Sequence, residues 1–151
     1  MANPMYGQNK ADDILDSQER WASFNIDNGA GAAITNTAHT AGLHGFAWKN
    51  PEGEDIIVTG FYLDVTTAAT GTPTIDAGVA ADSTTGSDNL LDAAPVGAAV
   101  IVQSSVGLGG GTNGTGAAKM TSTQYITGDG SASLAGMVAV AYVKYFIPSK
   151  V

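Results

Sequence analysis

The sequence predicts an all-β protein: an antiparallel β-sandwich of jelly-roll type behind an extended or partly helical N-terminal arm. Three observations predict it. Twenty glycines, with Thr, Ser and Ala also prominent, favour turns and flat strands over helices. Short stretches of alternating residues recur along the chain, separated by Gly-, Pro-, Asn- and Asp-rich punctuation. No convincing helical period occurs beyond residue 22. At 151 residues the chain makes one ordinary domain, divided here into an arm of residues 1–25 and a body of residues 26–151.

Residues 1–10 mix Asn, Pro, Gly and Gln and read as extended. Residues 12–22 carry a thin helical pattern. Asp12 serves as cap, and Ile14, Leu15, Gln18 and Trp21 fall nearly on one side. One or two such turns need a partner surface to persist. Asn28-Gly29-Ala30-Gly31-Ala32-Ala33 reads as a loop or crossing. Residues 43–48 then predict a first short strand, stopped by the turn Asn50-Pro51-Glu52-Gly53.

From residue 54 the β pattern is clear. Ile57, Thr59, Phe61, Leu63 and Val65 alternate with Ile56, Val58, Gly60, Tyr62 and Asp64. Gly71-Thr72-Pro73 marks a turn, residues 74–79 alternate again, and residues 82–89 form a polar loop whose exit Leu90 and Leu91 anchor. Residues 98–103 predict a strand, residues 107–116 a Gly-rich loop, residues 124–127 a strand and Gly128-Asp129-Gly130 a turn. Residues 134–147 predict the longest strand. Its two faces, Met137, Ala139, Ala141, Val143, Tyr145 and Val138, Val140, Tyr142, Lys144, Phe146, are both largely apolar. One is expected in the core and the other against a neighbouring subunit, which makes Val138, Val140, Tyr142 and Phe146 candidate intersubunit residues.

Composition narrows the function. Hydrophobic residues reach 44%, enough for a core, yet charged residues are only 13%, so Ser, Thr, Asn, Gly and Ala must cover the surface. Such a surface desolvates cheaply and suits packing against neighbours. The net charge is −8, and no basic residue lies between Lys49 and Lys119. Without a basic cluster to neutralise phosphates, nucleic-acid binding is not expected. The absence of cysteine excludes disulfides, thiolate metal sites and a cysteine nucleophile. The opening residues lack a basic region and an apolar core, so no secretory signal is expected. Residues 134–147 are too few for a membrane helix and include Lys144. The expectation is a soluble protein synthesised in a cytoplasm, without a membrane partner.

The catalytic inventory is sparse. His39 and His44 lack a third ligand at metal spacing, and Ser is plentiful without a nucleophile elbow. Gly109-Gly110-Gly111-Thr112-Asn113-Gly114 matches a dinucleotide pattern literally, but no amphipathic helix follows to hold a pyrophosphate. Gly111 to Gly116 lacks a phosphate-loop lysine. Residues 82–89 offer oxygen ligands without the spacing of a calcium loop, and Asp and Asn suit turns for backbone reasons. No cofactor, metal or catalytic residue is expected. Trp21, Phe24, Phe46 and Trp48 cluster in the first third of the chain, either as core or as anchors on another protein.

The opening Met1-Ala2-Asn3-Pro4-Met5-Tyr6-Gly7-Gln8-Asn9-Lys10 resembles the start of virion structural proteins of tailed phages. Val65-Thr66-Thr67-Ala68-Ala69-Thr70-Gly71, Ile75-Asp76-Ala77-Gly78-Val79-Ala80 and Ser87-Asp88-Asn89-Leu90-Leu91-Asp92 resemble small phage β-sandwich proteins. So do Gly111-Thr112-Asn113-Gly114-Thr115 and Ala135-Gly136 with the strand after it. The resemblance implies a capsid decoration, or cement, protein on the virion surface. It further implies a trimer at three-fold or quasi-three-fold positions, bound to the major capsid protein. Pro4, Met5, Tyr6, Ile14, Leu15 and Trp21 are the candidate capsid-binding residues of the arm. The alternative is a receptor- or glycan-binding module of a tail or head fibre, reading ligands through residues 82–89 and 107–116. A small hydrolase built on Asp82 or Asp88 is the third reading, and no site assembles for it.

Overall fold

The computed structural model describes residues 19–27, 45–104 and 117–148. They form nine strands: β1 Arg20–Ile26, β2 Phe46–Lys49, β3 Ile56–Thr67, β4 Thr74–Ala80, β5 Leu91–Pro95, β6 Val100–Gln103, β7 Ala118–Met120, β8 Tyr125–Gly130 and β9 Val138–Phe146. Two antiparallel sheets pack face to face, so the chain is an all-β sandwich. One sheet has the order β1-β9-β3-β6, with β7 also pairing β3; the other has the order β2-β8-β4-β5. Through the first four strands the chain alternates between sheets, so most pairings are distant in sequence.

The core lies between the inner faces. From β3 come Ile56, Val58, Phe61, Leu63 and Val65, and from β9 Ala139, Ala141, Val143 and Tyr145. Ile75, Ala77 and Ile126 face them from the other sheet. The register of β3 departs from strict alternation. A bulge between Val58 and Gly60 adds one residue against β9, so Ile56 and Val58 join Phe61, Leu63 and Val65 inside, while Ile57 turns outward. Sequence alternation had put Ile57 and Thr59 with Phe61.

Residues 20–26, assigned to the arm from sequence, are a strand of the body, paired along their length with β9. The expected helix over residues 12–22 therefore does not extend through its last three residues; its earlier part lies outside the described residues. The expected turn Gly128-Asp129-Gly130 is also strand. A Cβ on Gly128 would run into the Phe46 ring, and one on Gly130 would sit 2.6 Å from Leu134 Cγ. These glycines make room for inward side chains. The chain reverses after them, where Gly136 takes φ +88° and Met137 N donates to Leu134 O. The last strand is accordingly nine residues long, shorter than the apolar run 134–147.

Asn50, 4% exposed, locks the turn after β2. Its Nδ2 donates to the carbonyls of Glu54, Met120 and Thr121, and its Oδ1 accepts from Glu52 N at 2.9 Å. Asn50→Ala is expected to cost about 2 kcal/mol, because buried carbonyls lose their donor. Asn50→Asp keeps the acceptor but turns a carboxylate toward those carbonyls. Urea unfolding at neutral pH should therefore find it the less stable of the two.

Tyr145 closes the same end. Its hydroxyl donates to Glu52 Oε1 at 2.9 Å, and Arg20 Nη1 donates to that same oxygen at 2.8 Å. Burial, then the adjoining Glu52 carboxylate, push the Tyr145 hydroxyl from 10.0 up to about 12. The folded chain holds this proton more tightly than the unfolded one. Its contribution is fully present below pH 10 and is lost as pH rises toward about 12, at up to about 1.4 kcal/mol per pH unit. Denaturant titrations across that window should show the slope in the parent chain and lose it in Tyr145→Phe.

Candidate functional site: the outer face of the five-stranded sheet

The two outer faces differ. On the four-stranded sheet, residues 81–90 fold back over β4 and β8. Thr127 Oγ1 donates to Thr85 O at 2.9 Å, Val79 N donates to Asn89 Oδ1 at 2.8 Å, and Leu90 N donates to Ala77 O at 3.0 Å. Gly78 lets this segment lie close, since a Cβ there would sit 2.7 Å from Asn89 N. Asp82 shapes the loop's start by accepting from Thr84 N at 2.8 Å and Thr84 Oγ1 at 2.9 Å. The Thr84 bonds, with others from Thr85, hold its carboxyl below the usual aspartate range. Of the candidate recognition loop at residues 82–89, residues 87–89 thus pack on their own sheet, while residues 82–86 are exposed.

A cleft of about 270 Å³ opens beside the loop, lined by Asp76, Gly86, Ser87, Asp88 and Asp129. Asp76 Oδ1 accepts from Ala93 N at 2.7 Å, holding Ala93 in a left-handed conformation at φ 52°. Among the described residues no group of three His, Cys, Asp or Glu is placed to hold a metal. Nor is any helix among them long and apolar enough to cross a membrane.

The five-stranded sheet presents a different outer face. Register places its side chains in rows across the strands. The central row is Ser23, Tyr142, Tyr62 and Gln103. On one side lies the row Trp21, Lys144 and Gly60; on the other lies Asn25, Val140, Asp64 and Ile101. Trp21, Ile101 and Tyr142 are 57%, 67% and 39% exposed, and only Val100 joins them as an exposed large hydrophobic among the described residues. Three of these four therefore sit on one face, which makes it the candidate interaction surface.

The face is uneven. Trp21 and Tyr62 stack with centroids 5.7 Å apart and planes 30° apart. The Tyr62 ring lies over Gly60, where a Cβ would be 3.1 Å from Cε2. Lys144 Nζ lies 5.8 Å from the Trp21 centroid and pairs with Glu19 at 2.7 Å. Trp21, Tyr62 and the Lys144 stem together form a raised ridge. The smaller side chains of Ser23, Asn25, Val140 and Asp64 make a shelf beside it, ended by the exposed Ile101 of β6. Arg20, Lys119 and Lys144 pair with Glu52, Asp55 and Glu19. Asp64, between Val140 and Ile101, forms no ion pair among the described residues.

Val138, Val140, Tyr142 and Phe146 lie together on this face of β9, with the alternation expected from sequence. Trp21 joins them from β1. Pro4, Met5, Tyr6, Ile14 and Leu15 lie outside the described residues, as do His39, His44 and residues 107–116. Phe24 packs on Phe46 and Trp48, with centroids 5.5 and 5.8 Å apart, so these three aromatics serve the contact between sheets. Sequence reasoning missed Tyr62, Asp64 and Ile101 as surface residues of this site. Their only signal was alternation, and the face they share with Tyr142 is set by pairing between distant strands. Comparison with protein-family models, curated proteins and solved structures finds no match to this chain.

Proposed function

We propose that this chain is a virion structural protein of a tailed phage, a decoration protein that binds the major capsid protein and stabilises the shell. We also read its strand order as a jelly roll. With short β7 set aside, β1-β9-β3-β6 faces β2-β8-β4-β5, the two Greek keys of a fold found in viral capsid and lectin domains. Fold alone does not carry function. The observation that carries the reading is the asymmetry of the two outer faces. One sheet is covered by its own loop, while the other presents Trp21, Tyr142 and Ile101 outward. That is a surface for protein contact, and the resemblance of the opening residues and the body to phage virion proteins says which kind.

The arm supplies the shell contact, through Pro4, Met5, Tyr6, Ile14 and Leu15. Binding the assembled shell and not its open form raises the shell's resistance to opening by linkage. Self-association adds to this, because several arms on one particle act at high effective concentration. Catalysis and cofactors have no part in this mechanism.

Gold labelling of phage particles with an antibody to this chain tests the reading. Regular label over heads is expected. Label on the tail or fibres would move the function to receptor or glycan binding, and unlabelled particles would end the virion reading. Deleting residues 1–18 should abolish binding to purified heads while leaving a folded β-sandwich by circular dichroism, because β1 begins at Arg20. Undiminished binding by that truncation would remove the arm from the mechanism.

A further inference from the structure

We infer that the outer face of the five-stranded sheet docks on the same face of a second copy of this chain, about a two-fold axis along the row Ser23–Tyr142–Tyr62. The inference rests on this face alone and not on the virion reading. A two-fold contact brings a surface against itself, so the surface must be self-complementary. An axis in the interface, perpendicular to the strands through that row, exchanges the row on one side with the row on the other. The strands of the two copies then run nearly aligned, as in face-to-face sheet packing.

Both shape and charge meet this requirement. The ridge of Trp21, Lys144 and Tyr62 settles on the shelf of Asn25, Val140 and Asp64 of the second copy. Tyr142 meets its own counterpart on the axis. Lys144 stands two residues from Tyr142 on one side, and Asp64, opposite Val140, lies two residues away on the other. The exchange therefore brings Lys144 over Val140 and beside Asp64 of the second copy. Asp64 then shares the Lys144 cation that Glu19 holds from its own chain, and two such contacts form per dimer. An axis parallel to the strands lacks this match, since it sets Lys144 over Gly60 and Asp64 over Val140.

The face is also large enough. β1, β9, β3 and β6, with seven, nine, twelve and four residues at about 3.4 Å each and strands about 4.8 Å apart, give about 500 Å² in projection per copy. The total is about 1,000 Å², the lower bound for a specific interface.

Sedimentation velocity on the full chain, over a concentration series, tests the inference. The expected species has twice the 15.2 kDa chain mass. Asp64→Lys should weaken association by about tenfold or more, because it sets like charges together. Lys144→Asp should weaken it similarly. The double variant Asp64→Lys/Lys144→Asp should restore association to near the parent value, and circular dichroism checks that each variant is folded. A monomer at every concentration overturns the proposal. So does a trimer, the state implied by the phage resemblance, and so does a dimer indifferent to Asp64→Lys or not rescued by the double exchange.

Discussion

Phe61→Ala is expected to lower folding stability by about 3–5 kcal/mol, a large share of the about 5–15 kcal/mol that holds an ordinary domain together. Phe61 is fully buried at the centre of β3. Its ring stacks on Phe46 with centroids 6.1 Å apart, and Phe46 in turn meets Phe24 at 5.5 Å. This ladder of rings ties β1 and β3 of one sheet to β2 of the other. Collapse around the missing ring is hindered because the backbone is held on both sides. Phe61 is registered with Val143 of β9, and on its other flank Ser104 N donates to Phe61 O at 2.7 Å. Urea titration reads the loss directly. The neighbouring Tyr62→Ser, on the outer face, should cost less than half as much. If the two substitutions cost the same, the assignment of inner and outer faces beyond the bulge is wrong.

Gly128→Val should be nearly as severe, at about 3 kcal/mol. By local preference valine suits a strand better than glycine, so a purely local view predicts a gain. The structure predicts the opposite, because a Cβ at Gly128 collides with Phe46, its cross-strand partner. Both residues lie on paired strands, leaving the ring little room to withdraw. Phe46→Ala removes the obstacle, at its own cost in buried ring. The double variant should therefore be more stable than the sum of the two losses, by about 1–2 kcal/mol. Thermal or denaturant unfolding of the four proteins in the cycle measures that coupling. Strict additivity would mean that the ring does not occupy the space above Gly128.

The β class was legible because glycine, β-branched residues and turn residues act locally. The turn at Asn50-Pro51-Glu52-Gly53, the strand over residues 74–79 and the exit of the polar loop at Leu90 and Leu91 stand where sequence placed them. So do the two faces of β9, since a strand with period two must send Val138, Val140 and Tyr142 to one side. That much of the candidate surface could be read in advance. The rest could not. Trp21 looked like part of a helical arm because a helical spacing in residues 12–22 extends to it, yet residues 20–26 hydrogen-bond to β9, far along the chain. Gly128-Asp129-Gly130 looked like a turn because its residues favour one, yet it is strand because Phe46 and Leu134 need the space over its glycines.

The sequence by itself determined that this protein is a β-sandwich with few charges, two apolar faces on its last strand and no recognisable catalytic motif. Only the tertiary structure decided which residues of different strands share a face. The bulge between Val58 and Gly60 reversed the facing of Ile57, and pairing across both β9 and β3 gathered Trp21, Tyr62, Tyr142, Asp64 and Ile101. The reason is physical: alternation along a strand is a local property of the backbone, whereas register is set by hydrogen bonds to a partner strand distant in sequence.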